Sequence, residues 1–143
     1  MTEETHYCIQ PIGLVRSPLK SLEDCPKQGW EGAPEAWLEI YPAFSGGLDD
    51  LKAGEEILVL TWLHLARRDL LKVHPRGDRE TPLKGVFAMR SPHRPNPIGL
   101  HRVRVLEITA SGRVRVGPME VVDGTAVIDI KSVADETHDQ QLQ

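Results

Sequence analysis

Cysteine is nearly absent from this sequence: Cys8 and Cys25 are the two thiols in 143 residues. Two distant cysteines make neither a metal cluster nor a disulfide framework, so a reduced, cytoplasmic location is expected. No run approaches the roughly 20 apolar residues that a membrane-spanning helix needs. The start, Met1-Thr2-Glu3-Glu4, is acidic and lacks the basic and apolar regions of a secretory signal. Three common catalytic signatures are missing as well. There is no G-x-x-x-x-G-K-[ST] phosphate loop, no G-x-G-x-x-G after a strand, and no G-x-S-x-G nucleophile elbow. His64, His74, His93 and His101 lack the i, i+4 spacing of helical zinc sites, so no metal is expected.

What is present describes a small globular chain. At 16.0 kDa, with 40% hydrophobic and 27% charged residues, residues 1–143 suit one domain that buries about two-thirds of its unfolded surface. Eleven prolines and twelve glycines argue for turns between short strands rather than a helical bundle. The expected fold is mainly β, a small antiparallel barrel with short helical turns and long loops. Its core runs from about residue 7 to 131, with 132–143 as a tail. Strands are expected over Cys8–Val15, Ala36–Tyr41, Ile57–Leu63, Gly85–Met89, Leu100–Ile108, Arg113–Val116 and Val121–Ile130. The run Ile57–Leu63 reads as buried on both faces. Leu48–Leu51 reads as one helical turn, and Ala66–Lys84 as a mobile loop. Inward Val103 and Val105 give way to Leu106 and Ile108, and that slip in alternation predicts a bulge. A turn at Ser111-Gly112 closes the hairpin that follows.

Charge is unevenly spread. Between His64 and Arg104 ten Lys/Arg face three Asp/Glu, a local charge of +7, while the remainder carries −11 within a total of −4. A basic middle in an acidic chain suits an anionic partner such as a nucleic acid, although cations solvated on a loop would read the same way. Within it lies Arg90-Ser91-Pro92-His93-Arg94-Pro95-Asn96-Pro97-Ile98-Gly99. Three prolines in ten residues make a stiff, irregular arm, and stiffness lowers the ordering cost of binding through Arg90, His93, Arg94 and Asn96. A second constellation is Asp123-Gly124-Thr125 with Asp129 and Lys131. It reads equally as a hairpin turn followed by an i, i+2 ion pair.

Three blocks together carry a resemblance. They are Pro11-Ile12-Gly13-Leu14-Val15-Arg16-Ser17-Pro18, the run from Gly85 through the arm to Leu100, and Asp123-Gly124-Thr125-Ala126-Val127-Ile128-Asp129-Ile130-Lys131. In this order, over about Tyr7 to Lys131, the sequence resembles the TsaA-like domain, the family of the YaeB and TrmO tRNA methyltransferases. The resemblance implies a homodimeric β-barrel that uses S-adenosylmethionine without a Rossmann fold. The implied activity is N6-methylation of N6-threonylcarbamoyladenosine beside the tRNA anticodon.

The family's cofactor positions fall on Pro26, Lys27, Gln28, His64, Leu65, Arg90, Leu100, Asp123, Gly124, Thr125 and Ala126. Arg67, Arg68, Arg79 and Arg94 are the expected RNA-binding cations. The target nitrogen is ureido-like and a poor nucleophile, so a base is expected, and Asp129, Asp123 and His93 are the candidates. Lys27, Ala126 and the pair Ser132-Val133 stand where the family often has Arg, Pro and Pro-Tyr. Two other readings remain open here. One is a non-catalytic S-adenosylmethionine-binding module; the other is a methyltransferase acting on a small metabolite or another RNA.

Overall fold

The computed structural model describes residues 4–21 and 34–133. Eight strands are present: β1 (Gly13–Arg16), β2 (Ala36–Ile40), β3 (Glu56–Trp62), β4 (Lys72–Val73), β5 (Lys84–Gly85), β6 (Ile98–Ile108), β7 (Arg113–Gly117) and β8 (Ala126–Ser132). Six of them close an antiparallel barrel in the order β1-β2-β7-β6-β3-β8, while β4 and β5 form a separate two-stranded ribbon. The mainly β barrel expected from the sequence is the observed fold.

Period-two patterning explains the barrel. Val15, Leu38, Val59, Val105, Val114, Val116 and Val127 are fully buried on the inward face, with Ala36, Ile57 and Val103 beside them. The inward set is mostly β-branched, which suits the pleated geometry. The outward face alternates with charge: Glu39 pairs with Arg16 and Arg113, Glu56 with Arg102 and Arg104, and Arg115 with Glu35 and Glu107. Such exposed pairs contribute little each. They leave the barrel's own cations neutralised, which matters below. Gly13 is required at a close approach, because a Cβ there would lie 2.3 Å from the Glu39 carbonyl oxygen.

The slip after Val105 is a true bulge. Val105 faces Val116 and Glu107 faces Arg115, so Leu106 is the extra residue. A second bulge lies in β8, where Leu60 faces Asp129 and Thr61 faces Val127, leaving Ile128 extra.

Several boundaries differ from the sequence reading. β1 begins only at Gly13 and residues 4–11 are exposed, since Pro11 has no N–H to donate to a ladder. β3 is buried on one face alone: Ile57, Val59 and Thr61 point inward while Leu58, Leu60 and Trp62 are half-buried, because a barrel has no second layer to cover them. The helical turn lies earlier, as a 3-10 segment over Pro42–Leu48. Of Gly85–Met89 only Gly85 pairs as a strand, and Val86–Ala88 is a 3-10 turn. Of Val121–Ile130 the strand starts at Ala126, after a turn in which Gly124 takes a φ of +86°. The segment expected as a loop, Ala66–Lys84, carries β4 and the 3-10 turn Pro75–Gly77.

Candidate functional site

At one end of the barrel, the exit of β3, the entry of β6, the proline arm and the loop before β8 enclose a cleft of about 610 Å3. The arm is laced to the segment after β3. Leu63 N donates to Pro97 O at 2.8 Å, Arg94 N to Arg67 O at 3.1 Å, and Arg67 N to His93 Nδ1 at 3.0 Å. The Arg68 guanidinium donates to Pro95 O at 2.7 Å and lies over the Trp62 ring, 5.1 Å from its centroid. Arg94 holds the arm from within. Its guanidinium donates to Ser91 O at 2.8 Å, Val86 O at 2.5 Å and Met89 O at 2.6 Å. Arg94, one of the expected RNA-binding cations, is half-buried and lines the cleft with its guanidinium committed to these carbonyls. Arg67 pairs with Asp69, while Arg79 is exposed.

The cleft floor is apolar, with Leu60, Leu63, Leu65, Ile98, Leu100 and Val121. Arg90, Ser91, His64, His93, Glu120 and Thr125 stand around it. Among the expected cofactor positions, His64, Leu65, Arg90, Leu100 and Thr125 therefore line one cavity, with His93 from the base candidates. Asp123, Gly124 and Ala126 lie outside this lining. Pro26, Lys27 and Gln28 fall outside the described residues.

Asp123 ties the loop before β8 to the end of β1. Its Oδ1 accepts from Ser17 N at 2.9 Å and its Oδ2 lies 3.2 Å from Lys20 Nζ. The Ser17 N–H first, and then Lys20 and Arg16, hold this carboxyl below the usual range. Asp129 sits elsewhere, in a second depression with Phe44, Leu48 and Glu55, and its Oδ2 is 3.7 Å from Lys131 Nζ. The plain ion pair foreseen for Asp129 and Lys131 is present. Of the three base candidates, only His93 reaches the cleft. Its Nδ1 accepts the Arg67 N–H, so in the neutral ring Nε2 carries the proton and is a donor.

Two cleft residues were not singled out from the sequence. Glu120 lines the cavity, with Oε2 shielded from solvent. His101 lies on the inward face of β6, where its Nε2 is 2.9 Å from Thr61 Oγ1, and burial pushes its pKa down to about 4. A signal for His101 existed, because alternation from Val105 and Val103 runs through His101 to Gly99. Gly99 leaves room for that pair: a Cβ there would lie 2.4 Å from Thr61 Oγ1 and 2.8 Å from His101 Nε2. Among the described residues no cluster of His, Cys, Asp or Glu suits a metal, and no helix is long and apolar enough to cross a membrane.

Known proteins resemble this chain over most of its length. A probable S-adenosyl-L-methionine-binding protein of Methanothermobacter thermautotrophicus is 46% identical over 123 residues, covering 86% of this chain and 87% of the relative. An S-adenosyl-L-methionine-binding protein of Archaeoglobus fulgidus is 41% identical over 128 residues, covering 90% of each. A crystal structure of TrmO from P. aeruginosa superposes with a TM-score of 0.73 at 31% identity. It covers 99% of this chain, which spans 62% of that TrmO chain. Residues 14–139 match the family model of the tRNA-methyltransferase O N-terminal domain, and with this barrel and these relatives the chain belongs to that family.

Proposed function

We propose that this protein binds S-adenosylmethionine in the cleft and transfers its methyl group to tRNA, at N6 of N6-threonylcarbamoyladenosine beside the anticodon. The observation that carries this reading is the convergence of four separate segments, 60–66, 90–94, 98–101 and 120–125, on one cavity. Its size lies within the roughly 300–1,000 Å3 of small-molecule sites, and an apolar floor with a few polar groups is their usual make-up.

The donor set fits such a cofactor. The leucines, Ile98 and Val121 offer an apolar bed for a purine. Exposed Arg90 offers a positive charge to the carboxylate of the cofactor's amino acid. His101 is neutral at pH 7 and adds no cation beside a sulfonium. When bound, the cofactor supplies an electrophilic methyl group. The chain's part is positioning, since methyl transfer needs an in-line approach of nucleophile and methyl carbon. His93 would donate from Nε2 to an acceptor on either reactant. Glu120 would take the proton of the ureido-like nitrogen, because Asp123 and Asp129 lie outside this lining.

The proposed assembly is a homodimer with cytoplasmic residence. Leu65, Ile98 and Leu100 support the homodimer: they line the cleft yet are 50%, 41% and 45% exposed, apolar surface that a second copy would cover.

Isothermal titration with S-adenosylmethionine tests the cofactor site. Arg90→Ala should weaken binding by about 1.5–3 kcal/mol, the worth of a hydrogen bond to a charged group. Wild-type affinity in that variant would remove Arg90 from the site, and no binding by the wild type would remove the site itself.

A further inference from the structure

We propose that Phe87 is a stacking platform for an unpaired RNA base next to the one in the cleft. This rests on the RNA-methyltransferase reading above. Phe87 is 80% exposed, yet it is carried by a fixed backbone. Val86 before it is buried, and the Val86 N–H donates to Leu71 O at 2.9 Å. Arg94 holds the carbonyls on both sides of the turn, Val86 O and Met89 O. A large ring displayed on a clamped turn is pre-organised for contact.

Its surroundings identify the contact. Leu71, whose carbonyl holds the Val86 N–H, is 62% exposed, and Leu83 is 56% exposed. In the ribbon of β4 and β5 Lys84 pairs with Val73 and so shares a face with Leu71, while Lys72 pairs with Gly85 on the other face with Leu83, and Arg90 follows three residues after Phe87. The barrel's cations Arg16, Arg102, Arg104, Arg113 and Arg115 all face carboxylates. Lys72, Lys84 and Arg90 make no such pair among the described residues. Lysine is depleted from the cores of protein–protein interfaces, which disfavours a protein partner on this patch. Aromatic faces interleaved with uncompensated cations are what single-stranded nucleic acid uses, bases on the rings and phosphates on the cations. Since Arg90 also lines the cleft, the stacked base would adjoin the reacting one.

The test measures binding of an anticodon-arm RNA hairpin across a salt series, with S-adenosylmethionine titration and light scattering on the same samples. Phe87→Leu keeps an apolar side chain but loses the π face, and should weaken RNA binding about 5- to 100-fold. Phe87→Tyr should bind RNA as the wild type does. Neither variant should change cofactor affinity, particle mass or the salt slope. The double variant Lys72→Gln, Lys84→Gln should flatten that slope by about 1 to 2. Wild-type RNA affinity in Phe87→Leu would overturn the stacking proposal alone. A change of particle mass in Phe87→Leu would overturn it in favour of a second copy of the chain on the ring. A wild-type protein that binds the cofactor but no RNA at low salt would overturn the RNA reading and the stacking with it.

Discussion

Arg94→Ala should lower stability by at least about 3 kcal/mol and reduce S-adenosylmethionine affinity more than tenfold. One guanidinium serves three backbone carbonyls at 2.8, 2.5 and 2.6 Å, and hydrogen bonds to charged groups are worth about 1.5–3 kcal/mol each. The three are coupled, so their values do not simply add. Loss of the clamp releases the turn at Val86–Ala88 and the start of the arm together, and with them Arg90 and His93 at the cleft. Arg94→Lys should rescue little, because a single ammonium on a flexible stem cannot reproduce a planar fork aimed at three acceptors. Urea unfolding and calorimetric titration of both variants check this. Wild-type midpoints and affinity in Arg94→Ala would contradict it. A fully restored Arg94→Lys would show that charge alone matters.

Acid should destabilise the protein through His101 before its carboxylates titrate. The ring has a pKa of about 4 in the folded state because burial disfavours its charge, against an ordinary value of 6.5. Between these values the unfolded chain binds a proton that the folded chain refuses. Stability therefore falls as pH drops from 6.5 toward 4, approaching a loss of about 3 kcal/mol, and is flat in this respect above 6.5. Glu56 and Asp69 act lower: Arg102 and Arg67 depress their pKa values, so their contribution disappears only as pH falls through those depressed values. His101→Gln keeps a hydrogen-bonding group beside Thr61 and removes the titration. Its unfolding free energy should vary less between pH 6.5 and 4 than the wild type's. Parallel curves for the two proteins would contradict the assignment.

Much of the fold was legible because a barrel strand declares itself with period two. The slip at Leu106 is the clearest instance, where inward valines change face and the register shifts. Boundaries read less well, since Pro11 and the turn around Gly124 end pairing inside runs that are still apolar. The cleft was legible in part through the stiffness of residues 90–99. Direction was not legible. Arg94 and Arg90 are cations four residues apart in one arm and both line the cleft, but only folding ties the first to three carbonyls and leaves the second exposed. Composition also hid the separation of the acidic candidates. Asp129 lies within β8, past the bulge at Ile128, whereas Asp123 lies in the loop before that strand. Glu120 gave no signal because no motif surrounds it. It becomes visible once the loop before β8 is seen to close the cavity.

Isotope labelling separates methyl transfer to RNA from cofactor binding alone. Unfractionated tRNA from cells lacking this gene would be incubated with the purified protein and S-adenosylmethionine carrying a deuterated methyl group, then digested and analysed by mass spectrometry. One labelled nucleoside is expected, N6-threonylcarbamoyladenosine heavier by a single labelled methyl, absent without protein and reduced for Phe87→Leu. Saturable cofactor binding with no label in any nucleoside would contradict methyl transfer to RNA and leave a binding module.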